Sequence, residues 1–97
     1  MIQVINNWAR VTGVVEDAAR DPAMPDHAHI RLHLTSAENE GNSPNLFRQY
    51  VGEDIDLLLR DESHKIDLAR GDRITVRARV ATPEKAFGTA DDLLVLE

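Results

Sequence analysis

The chain has 97 residues, 17 acids against 11 bases for a formal net charge of −6, and 42% hydrophobic side chains. That suffices for one domain with one core and excludes the paired lobes of a large cofactor enzyme. The longest apolar run, Leu93–Leu96, is far shorter than the roughly 18 residues of a membrane span, and an acidic balance has the wrong sign for nonspecific nucleic-acid binding through bulk charge.

Met1–Val4 is followed at once by Asn6, Asn7 and Trp8, which does not read as a signal peptide. Residues 8–16 alternate, with Ala9, Val11, Gly13 and Val15 on one face, and predict a strand, because successive strand side chains point to opposite sides. On that parity Trp8 and Arg10 share the outer face, unless a bulge or the strand start turns Trp8 inward. Residues 17–27 contain Asp21-Pro22 and Met24-Pro25-Asp26. They predict an extended loop, since proline cannot donate to a ladder. Residues 28–36 predict a second strand with Ile30, Leu32 and Leu34 inward and His29, Arg31, His33 and Thr35 outward.

Residues 37–42 form a polar loop. Ser43-Pro44 then reads as an N-cap and first helical residue of a short helix over 44–51. Leu46, Phe47, Tyr50 and Val51 fall at helical spacing, and Gly52 is its stop. Residues 53–60 predict a third strand, with Ile55, Leu57 and Leu59 inward and Asp54, Asp56, Leu58 and Arg60 outward. A helical turn is predicted over 61–70, with Asp61 and Glu62 at its N-terminal end, Ile66 and Ala69 packing, and Gly71 closing it. Residues 72–82 give the cleanest alternation, Ile74, Val76, Ala78 and Val80 against Arg73, Thr75, Arg77 and Arg79. Leu93–Leu96 predicts a fifth strand near 91–97, without a readable inward parity.

Five short strands with a helix between the third and fourth predict an all-β fold of small helical content. The expected form is a single domain over 1–97, a five-stranded OB-like Greek-key barrel, with an SH3-like small barrel as the alternative. Leu68-Ala69-Arg70-Gly71-Asp72-Arg73-Ile74-Thr75-Val76 resembles the turn into the fourth strand of many OB domains. Val11-Thr12-Gly13-Val14-Val15, with Asp21-Pro22 further on, is similar to the first strand of bacterial single-stranded-DNA-binding proteins. The chain is also similar in size to small primosomal OB proteins. The likeness covers most of the chain as a pattern. It departs at two points: Asp21-Pro22 lies further from Gly13 than in those proteins, and the region between strands two and three lacks the tryptophans that stack bases there and is predicted to hold a helix instead. The resemblance implies a module that binds single-stranded DNA or RNA.

The residues themselves supply a candidate surface. Arg10, Arg31, Arg77 and Arg79 lie on adjacent strands if the first strand sits between the second and fourth, with His33 nearby. Such a patch suits a phosphate backbone, because each guanidinium offers fixed charge and a fork of donors. The bland alternative is wet-side arginines paired with loop carboxylates. Trp8 and Phe87 are candidate stacking platforms, although Phe87 equally suits closing the barrel. Phe47 and Tyr50 are expected on the buried face of the short helix.

His27, His29 and His33 share one parity, but no cysteine and no matched partner completes a zinc set. Solvated strand histidines, with no metal and no cofactor, are therefore expected. Ser36, Ser43 and Ser63 stand outside any nucleophile elbow and no glycine-rich phosphate loop occurs, so no enzyme is expected. The absence of cysteine excludes thiolate chemistry and suits the cytoplasm. The competing function is a protein-interaction or accessory-subunit module. It would use the acidic loops, an outward Leu58 and the Phe47/Tyr50 helix, or pair exposed sheet edges in a homodimer.

Overall fold

The alternating segments form strands, as a computed structural model describing residues 8–40, 46–62, 66–82 and 85–96 shows. They are β1 (Ala9–Arg20), β2 (His27–Asn39), β3 (Asp54–Arg60), β4 (Arg73–Thr82), β5 (Lys85–Thr89) and β6 (Leu94–Leu96). The sheet runs β1-β2-β3-β5-β4, and a further β1–β4 pairing closes it into a five-stranded barrel. β3 and β5 pair in parallel, while the other pairs are antiparallel. This is the OB-like Greek-key barrel, rather than the SH3-like alternative. Among the described residues no helix is long and apolar enough to cross a membrane.

The inward parities hold in all four alternating segments. Ala9, Val11 and Val15 from β1, Ile30, Leu32 and Leu34 from β2, Ile55, Leu57 and Leu59 from β3, and Ile74, Val76 and Ala78 from β4 make one buried cluster, with Ala86 added from β5. Closure brings backbones close together, and glycine is needed where they meet. A Cβ on Gly13 would lie 2.4 Å from the His33 carbonyl oxygen, and one on Gly88 would lie 2.6 Å from that of Arg77. β1 shifts register at Thr12/Gly13 and again at Val15/Asp17. The second shift leaves Glu16 as an extra residue opposite no partner on β2, a bulge that bends the strand and re-aims its side chains.

β1 and β2 run further than expected, to Arg20 and Asn39, so that the predicted loops over 17–27 and 37–42 are partly strand, and three further expectations are corrected. The helix over 44–51 is a single 3-10 turn, Arg48–Tyr50; the expected Ser43-Pro44 cap lies outside the described residues. Phe47 is in the core and Tyr50 packs against it, but Leu46 and Val51 are exposed. The turn is short because β2 recaptures the chain: Gly52 N–H donates to the Leu34 carbonyl and Leu34 N–H to that of Glu53.

The described residues of 61–70 are not helical either. Asp61 turns inward, to 2% exposure, and its Oδ2 accepts from Ile66 N–H at 2.9 Å and Arg20 Nη2 at 3.1 Å. A carboxylate that captures a nearby amide competes with helical bonding. Gly71, at φ 95°, instead closes a tight turn in which Ala69 N–H bonds the Asp72 carboxylate and Gly71 N–H bonds the Val15 carbonyl.

The fifth barrel strand is Lys85–Thr89, not 91–97. Residues 90–92 form another 3-10 turn, and β6 is a short sixth strand paired with the start of β4.

Candidate nucleic-acid interface

β1 lies against β4 with Ala9 opposite Ala78 and Arg10 opposite Arg77. Both alanines are fully buried, so strand alternation sends Arg10, Arg77 and Arg79 to the outer face. β4 lies against β5 with Arg79 opposite Phe87, and β5 lies against β3 with Phe87 opposite Leu58. Leu58 points outward as its parity requires, yet it is only 4% exposed. It is therefore not available to a protein partner, nor is Phe47 at 1%.

Trp8, immediately before β1, stands on the same outer surface. The Arg77 guanidinium carbon is 4.3 Å from the indole centroid. That of Arg79 lies between two rings, 6.0 Å from Trp8 and 5.9 Å from Phe87. Both arginines are thus within the distance at which a cation feels the negative face of an aromatic ring. Cation and ring alternate across three strands: Arg77, Trp8, Arg79, Phe87.

The electrostatics are uneven. Arg77 Nε donates to both oxygens of Glu40, at 2.6 and 2.8 Å. Among the described residues Arg10 and Arg79 have no ion-pair partner. Glu40, just beyond the end of β2, is a part of this surface that the sequence pattern did not single out. No periodicity marks a residue that follows a strand.

Arg31 and His33 do not join the patch. Parity places them on the outer face but says nothing about height along the strand. Arg10 pairs with Glu38 on β2, and Arg31 is seven residues earlier, roughly 20 Å at a strand's rise per residue. There it meets β3: Arg31 Nε is 3.6 Å from Asp54 Oδ2, and His33 Nδ1 is 2.9 Å from Asp54 Oδ1. The His33 hydrogen bond holds the Asp54 carboxyl below its ordinary pKa, against desolvation and with smaller help from the charges of His33 and Arg31. The same face pairs His29 Nε2 with Asp56 Oδ1 at 3.0 Å and His27 Nδ1 with Asp26 Oδ1 at 2.9 Å. In OB barrels the outer face of strands two and three is a common binding surface. Here it is occupied by mutually paired polar side chains, whereas Arg10, Arg79 and the two rings lie along β1, β4 and β5.

No family model, curated protein or solved structure matches the chain.

Proposed function

We propose that this chain is a non-enzymatic OB-type binding module that takes single-stranded nucleic acid, with weak and salt-dependent affinity, across the outer face of β1, β4 and β5. The observation that carries this is the alternation of Arg77, Trp8, Arg79 and Phe87, with each guanidinium carbon 4.3–6.0 Å from the centroid of the neighbouring ring. Every base has a π-face, so the partly exposed rings of Trp8 and Phe87 can stack on any sequence, while interleaved guanidinium groups neutralise the phosphates between bases. Arg10 supplies a further cation beside Arg77. The net charge of −6 works against the encounter, which is why the affinity is weak and falls with salt.

Trp8 is the only tryptophan, and its fluorescence reports on the site directly. Titration with a single-stranded oligonucleotide should quench it. Three phosphates neutralised by Arg10, Arg77 and Arg79 give a slope of about −2 in log affinity against log salt. Unchanged fluorescence and no mobility shift at ~50 μM protein and ~50 mM salt would defeat the reading, since nonspecific binding is micromolar or weaker even at higher salt.

A protein-interaction module is the second reading, and one observation favours it. β6 pairs only with β4 among the described residues, and its Leu94 and Val95 are 59% and 56% exposed. An apolar edge of this kind is open to strand addition by a partner or a second copy. Self-association measured by sedimentation, abolished by Val95→Lys, would favour it.

A further inference from the structure

We propose that Glu16, His33 and Asp54 form a binding site for a divalent first-row transition ion, with zinc as the probe. The three residues come from β1, β2 and β3, and one donor atom from each lies within 4.8 Å of the other two. A ligand search along the sequence looks for donors on one strand, such as His27 and His29. This group instead runs across the barrel, through cross-strand register.

The β1 bulge brings the third donor to the site. His33 and Asp54 are direct partners in the β2–β3 ladder, and Glu16 is the extra residue between Val15 and Asp17. Its half-buried carboxylate makes no hydrogen bond or ion pair with any described residue. A carboxylate left without a partner beside an imidazole–carboxylate pair is an unused donor, not part of a closed salt-bridge network.

The distances suit coordination. Donors about 2.0–2.2 Å from a tetrahedral zinc ion stand roughly 3.3–3.6 Å apart. His33 Nδ1 and Asp54 Oδ1, 2.9 Å apart across their hydrogen bond, open by about half an ångström when the ion replaces the shared proton, and the Glu16 carboxylate, within 4.8 Å of both, closes in. Arg31 Nε lies 3.6 Å from the other oxygen, Asp54 Oδ2, leaving Oδ1 to the ion and orienting the carboxylate from behind, as outer-shell partners do. Two carboxylates balance a divalent charge. The imidazole nitrogen favours zinc, cobalt or nickel over magnesium and calcium, which prefer all-oxygen shells. Three protein donors leave the remaining positions to water or an exogenous ligand.

The test uses the whole chain, titrated with zinc by calorimetry and followed by imidazole nitrogen NMR. One ion per chain should bind, with the His33 ring shifting and the rings of His27 and His29 unmoved. Glu16→Gln and His33→Asn should each weaken zinc binding by more than about tenfold, the scale on which even outer-shell changes act, while His29→Asn leaves it intact. Should a variant fail to fold, the ring shifts of the unaltered chain decide. Shifts confined to histidines other than His33, affinity unchanged in Glu16→Gln, or no heat and no ring shift at about 1 mM zinc would each overturn the proposal.

Discussion

The guanidinium of Arg77 lies over the indole of Trp8, 4.3 Å from the ring centroid. The same side chain also donates its Nε to Glu40. One arginine is thus shared between a ring that would stack a base and a carboxylate that would repel the adjoining phosphate. Glu40 is in effect a competitor built into the interface. An ion pair of this exposure, 35% for Arg77 and 39% for Glu40, contributes about 0.2–1 kcal/mol.

Glu40→Gln should therefore raise oligonucleotide affinity by up to about fivefold at low salt, as measured by Trp8 fluorescence. The gain should shrink as salt screens the freed cation. Weaker binding in this variant would mean that Glu40 holds Arg77 in place for the ligand.

Arg79 and Arg31 separate the observed surface from the wider patch expected of parity alone. Arg79→Gln removes a cation that has no ion-pair partner among the described residues, so the salt slope should fall by about 0.7. Arg31→Gln acts at Asp54 on the far part of the barrel and should leave both affinity and slope unchanged. Trp8→Ala should lose about 1–3 kcal/mol of binding, the worth of one stacked base. Its melting temperature should fall modestly, because the ring is partly buried and packs against Arg77, so binding is compared at a temperature where both proteins are folded. Equal losses in Arg31→Gln and Arg79→Gln would mean that binding follows bulk charge.

What could be seen in advance follows from what period two encodes. Ile30, Leu32 and Leu34, or Ile74, Val76 and Ala78, declare their buried face because a one-residue slip would expose all of them. Height along a strand leaves no such mark, so Arg31 and Arg10 looked like neighbours. Phe47 and Tyr50 are three apart, a spacing that fits a single 3-10 turn as well as an α-helix, and β2 recaptures the chain before a second turn can form. Asp61 departs for a different reason: its type suits a helix start, but its carboxylate meets Arg20 and the Ile66 amide across the fold, which no local pattern encodes.

That buried pair carries its own consequence. The Arg20 side chain is 30% exposed and that of Asp61 is 1% exposed, so removing the cation leaves a carboxylate in the interior. Arg20→Met should cost about 3 kcal/mol in urea unfolding, the lower range for breaking a buried pair. Arg20→Met combined with Asp61→Leu should recover part of this loss, because no charge is then left buried.

Acid should act on the paired face of β2 with a definite sign. Asp26 and Asp54 both have pKa values lowered from 3.8, each chiefly by a hydrogen bond from its histidine, His27 and His33 respectively. A carboxyl whose folded value lies below its unfolded value stabilises the fold above the unfolded value. That contribution is lost as pH falls through the folded value. Compared with Asp26→Asn/Asp54→Asn, the parent chain should therefore hold its urea-midpoint advantage at about pH 5 and lose it progressively as pH falls below about 4 and through the lowered folded values. Both carboxylates are solvent-exposed, so the advantage is small and should shrink further with salt. An advantage that grew on acidification would reverse the sign and show that the histidines stabilise the protonated carboxyls instead.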